Sequence, residues 1–167
     1  FMHLDGYMDV CDAVLSRREL ATRQRILKDS HCGAFAVIGM VLLALCQWSV
    51  FLSGSADESL WGLLLIPVAT RACAGLAVLK LRPMGTSQYA AMGRHGGYAA
   101  ALAVLLAAAI AVPLVTDRSF APLAAAAGYG LAVWYGFRQL DGMNGDISGF
   151  ALTLGELAGA AVWTLVR

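Results

Sequence analysis

Three aspartates near the beginning of the chain carry the clearest chemical signal in the sequence. Asp5, Asp9 and Asp12 stand in the run HLDGYMDVCD, four and then three residues apart. On an α-helix this spacing places the three carboxylates on one face, where like charges repel one another. Mg²⁺ would relieve that repulsion, because hard cations bind carboxylate oxygens together with substrate phosphates. The stripe predicts either a metal site or a solvated acidic turn of a surface helix.

A second polar run, Lys28-Asp29-Ser30, directly precedes a long apolar segment. It offers a cation, a metal ligand and a hydroxyl at the mouth of a predicted membrane helix, and lysine binds phosphate as a point charge. Ser30 can equally serve as the N-cap of that helix. The run therefore predicts either substrate and phosphate binding or helix capping.

The preceding segment, Ser16-Arg17-Arg18-Glu19, matches a capping box. Ser16 would be the N-cap and Glu19 the N3 residue of a helix that ends near Lys28. We expect this helix to rest at the lipid headgroups, with its arginines on the polar side.

The loop before the last apolar segment is rich in glycine and carboxylates. It contains Asp141, Gly145 and Asp146, and its glycines and Asn144 allow tight backbone geometry. Asp146 immediately precedes the apolar run, so it is either the N-cap of the last helix or a metal ligand.

Two charges, Arg71 and Glu156, interrupt apolar segments near their middles. A charge at this depth costs at least about 2.5 kcal/mol, so each charge needs a partner or a polar cavity. The two side chains either pair between helices or line a cavity in which Arg71 reaches a substrate phosphate.

The composition places the chain in a membrane. Of its 167 residues, 59% are hydrophobic and only 14% are charged, whereas soluble domains carry about 25% charged residues. The net charge of +1 and the absence of a basic tract give no indication of a nucleic-acid partner. The four cysteines are scattered and form neither a disulfide framework nor a zinc motif.

The apolar pattern predicts an all-α, polytopic transmembrane bundle in one integral-membrane domain, with residues 1–32 in the cytosol and residues 33–167 forming the helices and short loops. A span needs about 20 residues. Five segments approach that length: 33–53, 60–79, 96–116, 119–137 and 147–166.

The connecting segments alternate in charge. Basic residues concentrate before the first span and in the loop at 80–95, whereas the loop at 54–59 is acidic. Under the positive-inside rule, the basic segments and the loop at 138–146 face the cytoplasm. The three aspartates and both of these loops would then lie on one side of the membrane.

Taken together, these motifs resemble the cobalamin synthase, or adenosylcobinamide-GDP ribazoletransferase, family. That family carries H-x-D-G-x-x-D-x-x-D, then K-D-S-x-x-G-A-[FY], an arginine in the following span, and G-x-T-G-D before a last helix that contains glutamate. The matching stretches here are HLDGYMDVCD, KDSHCGAF, Arg71, GMNGD and Glu156. Ala13 replaces the usual glycine and Asn144 the usual threonine. Family members carry further hydrophobic sequence before the first motif, so we expect this chain to be truncated at its N-terminus.

The resemblance implies a Mg²⁺-dependent transferase in the bacterial cytoplasmic membrane. α-Ribazole or its 5′-phosphate would attack adenosylcobinamide-GDP, releasing GMP. The resemblance implies Asp5, Asp9, Asp12 and Asp146 as metal ligands, and Lys28 and Arg71 as phosphate partners. Asp29, Ser30, Gly145 and Glu156 would contact substrate. Membrane lipid, a second copy of the chain or other cobalamin-assembly enzymes are compatible partners.

Two other classes compete with this interpretation. A CDP-alcohol phosphotransferase would also use clustered aspartates and a metal, but its D-G-x-x-A-R pattern is missing after Asp5-Gly6. A transporter or structural membrane protein would use Arg71 and Glu156 as pathway charges, but it leaves the aspartate stripe unexplained.

Overall fold

The computed structural model describes residues 2–54, 60–85, 87 and 96–165. Within these ranges the chain folds into helices joined by short connections, and the predicted all-α fold is confirmed there. The helices are α1 (Met2–Leu15), α2 (Leu20–Ile26), α3 (Ala34–Leu52), α4 (Leu60–Lys80), α5 (Gly96–Thr116), α6 (Ala121–Leu140) and α7 (Gly145–Leu165).

Four of these helices, α3, α4, α5 and α7, are long and apolar enough to cross a membrane. The sequence also predicted a span at 119–137, but α6 falls outside this set although it has 20 residues. Polar and glycine residues, including Tyr129, Arg138 and Gln139, lower the hydropathy of α6. The polytopic prediction is therefore confirmed for four of the five expected spans.

Helices α3 and α5 present large apolar side chains outward. Trp48 of α3 is 67% exposed and Val115 of α5 is 81% exposed. In a soluble protein such surfaces would be a liability. On helices of membrane-spanning length they are the surfaces expected to face lipid.

The centre of the bundle is the contact between α6 and α7, where small residues let the two backbones approach closely. A Cβ added to Gly155 would lie 2.8 Å from the carbonyl oxygen of Ala125, and one added to Gly159 would lie 2.8 Å from the Ala125 Cβ. This contact fixes α7, the helix that begins beside Asp146.

The capping-box prediction at Ser16 is wrong. Helix α2 begins only at Leu20, after Glu19 at the N-cap position, and no side chain caps it. Helix α1 continues to Leu15, so Ser16 lies at the end of that helix, where its hydroxyl donates to the Ala13 carbonyl at 2.7 Å. Arg17 then turns the chain with a positive φ of 52°.

Two loops that the sequence expected on one side of the membrane do meet. The Met84 N–H donates to the Met143 carbonyl at 2.8 Å, and the Met143 N–H donates to the Arg82 carbonyl at 2.9 Å. Arg82 also pairs with Asp141 at 2.5 Å. The acidic loop at 55–59 and most of the loop at 86–95 lie outside the described residues.

Candidate active site

Helices α1 and α7 cross at a point where glycines replace side chains. A Cβ added to Gly6 would lie 2.7 Å from the Asp146 Cα, and one added to Gly149 would lie 2.9 Å from the His3 carbonyl oxygen. Neither position has room for a Cβ without a backbone shift. The crossing therefore brings the aspartates of α1 against the beginning of α7.

Tyr7 fixes the rotation of α1 about its axis. Its ring stacks on Phe150 of α7 with centroids 5.6 Å apart, and its hydroxyl donates to the Gly39 carbonyl of α3 at 3.2 Å. Val10, one turn further along α1, is fully buried. With this apolar face buried, Asp5 stays exposed and Asp9 is half-buried.

Asp9 lies half-buried among the other carboxylates of this cluster. Partial burial, followed by the charges of Asp5, Asp146 and Asp12, raises the pKa of Asp9 from its ordinary 3.8 to about 6. Three aspartates from α1 and one from α7 therefore act on one another at this end of the bundle, as the sequence predicted for the stripe.

Among the described residues, no Lys, Arg or His side chain forms an ion pair with the aspartates of this cluster. In the described part of the chain, the ion pairs of Lys, Arg and His involve other carboxylates: Asp29, Asp141 and Glu156. Within the same ranges no three His, Cys, Asp or Glu side chains are already arranged around one metal position. In the part of the chain that the structure describes, the cluster is thus a group of carboxylates without a cationic partner rather than a closed metal cage.

Asp12 has a specific structural partner, the beginning of α3. Its Oδ2 accepts the Gly33 N–H at 2.6 Å, and its Oδ1 accepts the Ala36 N–H at 2.9 Å. Gly33, not Ser30, is the N-cap residue of α3, so the alternative that Ser30 caps this helix is wrong. Asp12 supplies the capping oxygens from another helix, and a Cβ on Gly33 would collide with its carboxylate at 2.7 Å.

Asn144 is a site residue to which the sequence analysis assigned no side-chain role. Its Oδ1 accepts the Ile147 N–H at 2.9 Å, which makes it the N-cap of α7, and its Nδ2 donates to Asp146 Oδ2 at 2.7 Å. The alternative that Asp146 is the cap is therefore wrong. An asparagine just before an apolar helix is a recognisable capping signal, and threonine, usual here in the family, also caps helices.

The polar run at 28–30 lies on the exposed loop between α2 and α3. Lys28, Asp29 and Ser30 all face solvent, and Asp29 pairs with His31 at 2.6 Å. Hydrogen bonds from His31 hold the pKa of the Asp29 carboxyl below its ordinary range. The loop is connected to the cluster at Gly33, whose N–H donates a hydrogen bond to Asp12.

Arg71 and Glu156 form an ion pair between α4 and α7. Thr70, which is fully buried, donates to Glu156 at 3.4 Å. Glu156 follows Asp146 by ten residues, which is about 15 Å along the helix axis. Of the two alternatives from the sequence, the structure shows the pair, and it does not bring the pair to the aspartates.

A cavity of about 320 Å³ lies beside this ion pair. Glu156 and Gln47 are its polar residues, and its walls are apolar side chains of α3, α4 and α7: Phe51, Leu63, Ile66, Pro67, Leu157 and Ala160. A separate open pocket of about 510 Å³ adjoins Asp5 and is lined mainly by Met2, Leu4, Met8 and Met40.

These features define an integral-membrane helical protein with a carboxylate site at one end of its bundle. A model of the family described as cobalamin-5-phosphate synthase matches residues 1–164. The chain belongs to this family. The match does not favour the CDP-alcohol phosphotransferase or transporter alternatives.

Named relatives agree with this assignment. An adenosylcobinamide-GDP ribazoletransferase of Clostridium perfringens (strain 13 / Type A) is 37% identical over an alignment of 166 positions, which covers 95% of this chain and 66% of the relative. A protein of the same name from Geobacillus kaustophilus is 32% identical over a gapped alignment of 179 positions, which covers 98% of this chain and 67% of the relative. This chain thus spans about two thirds of the length of these curated relatives. No solved structure matches the chain.

Proposed function

We propose that this chain carries the catalytic site of an adenosylcobinamide-GDP ribazoletransferase. A ribose hydroxyl of α-ribazole, or of its 5′-phosphate, attacks the phosphoryl group attached to adenosylcobinamide. The new O–P bond forms as the P–O bond to GMP breaks, and GMP leaves with that electron pair. The hydroxyl proton passes to a base, and the product is adenosylcobalamin or its phosphate.

The observation that carries the proposal is the carboxylate cluster at the crossing of α1 and α7, which forms no ion pair with a described Lys, Arg or His. Burial and three neighbouring carboxylates raise the pKa of Asp9 to about 6. A fold that served only as a membrane scaffold would gain nothing from this repulsion. The glycines at the crossing bring the carboxylates close together, as binding of a cation and a polyphosphate requires.

The donor set suits Mg²⁺. All of its side-chain donors are carboxylate oxygens, and Mg²⁺ commonly uses one or two carboxylates with waters and substrate phosphates. Asp5 from α1 and Asp146 from α7 are the proposed ligands. Mg²⁺ held there would neutralise pyrophosphate oxygens as negative charge grows on the leaving GMP.

Asp9 is the proposed base for the attacking hydroxyl, and it can also ligate the metal. A pKa near 6 makes a stronger base than an ordinary aspartate and still leaves the carboxylate ionised at neutral pH. We propose that Asp12 is a positioning residue, because both of its oxygens hold the backbone at the beginning of α3.

The loops around the cluster are the proposed substrate contacts. Lys28 would neutralise a phosphate from the loop that Asp12 anchors, with Asp29 and Ser30 beside it. Gly145 precedes Asp146 on α7 and leaves the approach to that carboxylate open. We propose that the Arg71–Glu156 pair supports helix packing instead of substrate binding, since it lies about 15 Å further along α7.

We further propose that the protein lies in the cytoplasmic membrane with the cluster facing the cytoplasm. The arginine-rich segment before α3 supports this orientation under the positive-inside rule. The soluble substrate and GMP would then enter and leave on the cytoplasmic side.

The test uses the longest natural form of the protein that carries this chain, purified into liposomes. Adenosylcobinamide-GDP, α-ribazole and Mg²⁺ are supplied, and GMP and corrinoid product are measured. We expect Mg²⁺-dependent product from the wild type, almost none from Asp9→Asn, and wild-type activity from Asp117→Asn. Asp117 lies between α5 and α6, at the opposite end of the bundle, and is the matched control.

Two results would oppose the proposal. One is a wild-type protein that makes no product with the cobinamide donor but accepts CDP-activated lipids. The other is equal product formation by the wild type and Asp9→Asn.

A further inference from the structure

A basic groove lies outside the carboxylate cluster, between the end of α1 and helix α2. It has a volume of about 720 Å³. Its lining contains three arginines and a single acid, with one hydroxyl and one apolar side chain: Arg17, Arg18, Arg25, Glu19, Thr22 and Ile26. Within the described ranges none of these arginines forms an ion pair.

Helix α2, which lines the groove with one face, is fixed to the bundle by its opposite face. Arg23 donates to the Gln139 side chain of α6, and Gln24 donates to the Leu140 carbonyl at 2.8 Å. Leu27, just after α2, is 4% exposed and packs into the core. Helix α2 therefore packs one face on the bundle and presents Arg25 on the other, beside Arg17 and Arg18 of the preceding turn.

The position of the groove matches the membrane surface. The candidate span α3 begins at Ala34, seven residues after Leu27, so α2 lies next to the place where the chain enters the membrane. Lipid phosphates occupy this depth, and basic residues beside a span attract anionic lipid. The hydroxyl of Thr22, which donates to Glu19 at 3.5 Å, lies beside the guanidinium groups of the groove.

We propose that this groove binds the phosphate headgroup of an anionic phospholipid. Guanidinium groups suit phosphate oxygens because they donate paired hydrogen bonds. Three arginines against Glu19 leave the groove with a net positive charge. The lipid would hold α2 against the membrane independently of the chemistry at Asp9.

The backbone at Arg17 offers a clean test. Its φ of 52° lies in the left-handed region, which glycine adopts without strain. Arg17→Gly therefore removes a charge from the groove without weakening the fold. Arg118 has almost the same φ, 53°, but lies in the turn between α5 and α6, so Arg118→Gly is a matched control.

The experiment counts bound lipids by native mass spectrometry, with the full chain in mixed micelles of phosphatidylglycerol and phosphatidylcholine. We expect the wild type and Arg118→Gly to retain phosphatidylglycerol preferentially, and Arg17→Gly to bind it about fivefold more weakly. The exposed-side-chain variant Arg18→Gln should show a similar loss. Thermal melting of each variant verifies that it is folded.

Three results would overturn the proposal. The first is equal phosphatidylglycerol binding by the wild type, Arg17→Gly and Arg18→Gln. The second is retention of phosphatidylcholine as strongly as phosphatidylglycerol. The third is displacement of the lipid by millimolar inorganic phosphate or GMP, which would make the groove a site for soluble phosphates instead. All three measurements are independent of transferase activity, so failure here would not bear on the proposed reaction.

Discussion

The two groups of charge on α7 are built in opposite ways. Near its beginning, Asp146 joins three aspartates of α1, and no Lys, Arg or His among the described residues pairs with them. Ten residues later, Glu156 pairs with Arg71, and Thr70 adds a hydrogen bond. The pair in the span is compensated within the protein, as a charge in a membrane must be. The cluster at the beginning of α7 has no cationic partner among the described residues, and the proposed cation would supply that counter-charge.

The largest expected effect is a loss of turnover when the carboxylate cluster is changed, and it should be absent when the Arg71–Glu156 pair is changed. Asp9→Asn should lower turnover about 1000-fold, because it removes the proposed base and part of the cation site. Glu156→Gln should change turnover per folded molecule little, since it lies far from the cluster. GMP release in liposomes, normalised to correctly folded protein, measures both. A larger loss of turnover for Glu156→Gln than for Asp9→Asn would reverse the assignment.

The crossing that creates the cluster can be broken without touching a charge. A Cβ on Gly6 would lie 2.7 Å from the Asp146 Cα, so Gly6→Ala forces α1 away from α7. Overpacking of this kind costs about 1–3 kcal/mol of stability, and a displacement of about 1 Å lowers activity about 100-fold.

Gly130 on α6 is the matched control for this substitution. It has no neighbour within 4 Å of an added Cβ, so Gly130→Ala should preserve both stability and turnover. Thermal melting and GMP release are compared for the two variants. If Gly6→Ala behaves like Gly130→Ala, the close crossing is not what positions the cluster.

The ion pair in the spans should matter for folding instead. Arg71→Met removes the cationic partner of Glu156 and should lower the free energy of unfolding by about 1–2 kcal/mol, as for other interhelical polar contacts in membranes. The exchange Arg71→Glu with Glu156→Arg should recover much of that loss, because it restores an ion pair. Equal instability of the single and exchanged variants would show that the pair itself contributes little.

The smallest effect concerns the cap of α7. Asn144→Ala should cost about 1 kcal/mol through loss of the N-cap, and it also frees the Asp146 carboxylate from the Asn144 amide. Asn144→Thr, which keeps a capping oxygen, should retain most of the stability. Melting temperatures in detergent distinguish the two variants.

Sequence reasoning reached the aspartate stripe because helical periodicity alone places Asp5, Asp9 and Asp12 on one face. It offered the Arg71–Glu156 pair as one of two alternatives, because unpaired charges within spans are costly, but it could not choose between the pair and a substrate cavity. The sequence could not show that the three aspartates of the stripe have different roles. Asp12 faces the beginning of α3 while Asp9 faces Asp146, and this difference depends on how the helices pack.

The errors at helix ends have the same physical origin. Ser16 and Ser30 are good capping residues by type, but tertiary contacts decide which oxygen meets which amide. Asp12 reaches Gly33 from 21 residues away, a distance in sequence that no local motif describes. The sequence contains Gly6 and Gly149, but it does not show that they pack against the backbones of Asp146 and His3.

The charge imbalance also predicts how stability depends on pH without metal. The pKa of Asp9 is about 6 in the folded protein against an ordinary 3.8, so the folded state binds more protons between these values. The free energy of unfolding should therefore fall as pH rises from about 4 to about 6. Asp9→Asn should be more stable than the wild type at pH 7 and lose that advantage below pH 4. Melting curves across this range measure the difference.

The most direct measurement of the central claim is the melting temperature of the wild type and Asp9→Asn at pH 7, with and without Mg²⁺. If the cluster binds Mg²⁺, the ion should raise the melting temperature of the wild type above its metal-free value. It should raise the melting temperature of Asp9→Asn much less. Asp117→Asn should respond like the wild type. A wild type that gains no more from Mg²⁺ than Asp9→Asn does would contradict the account.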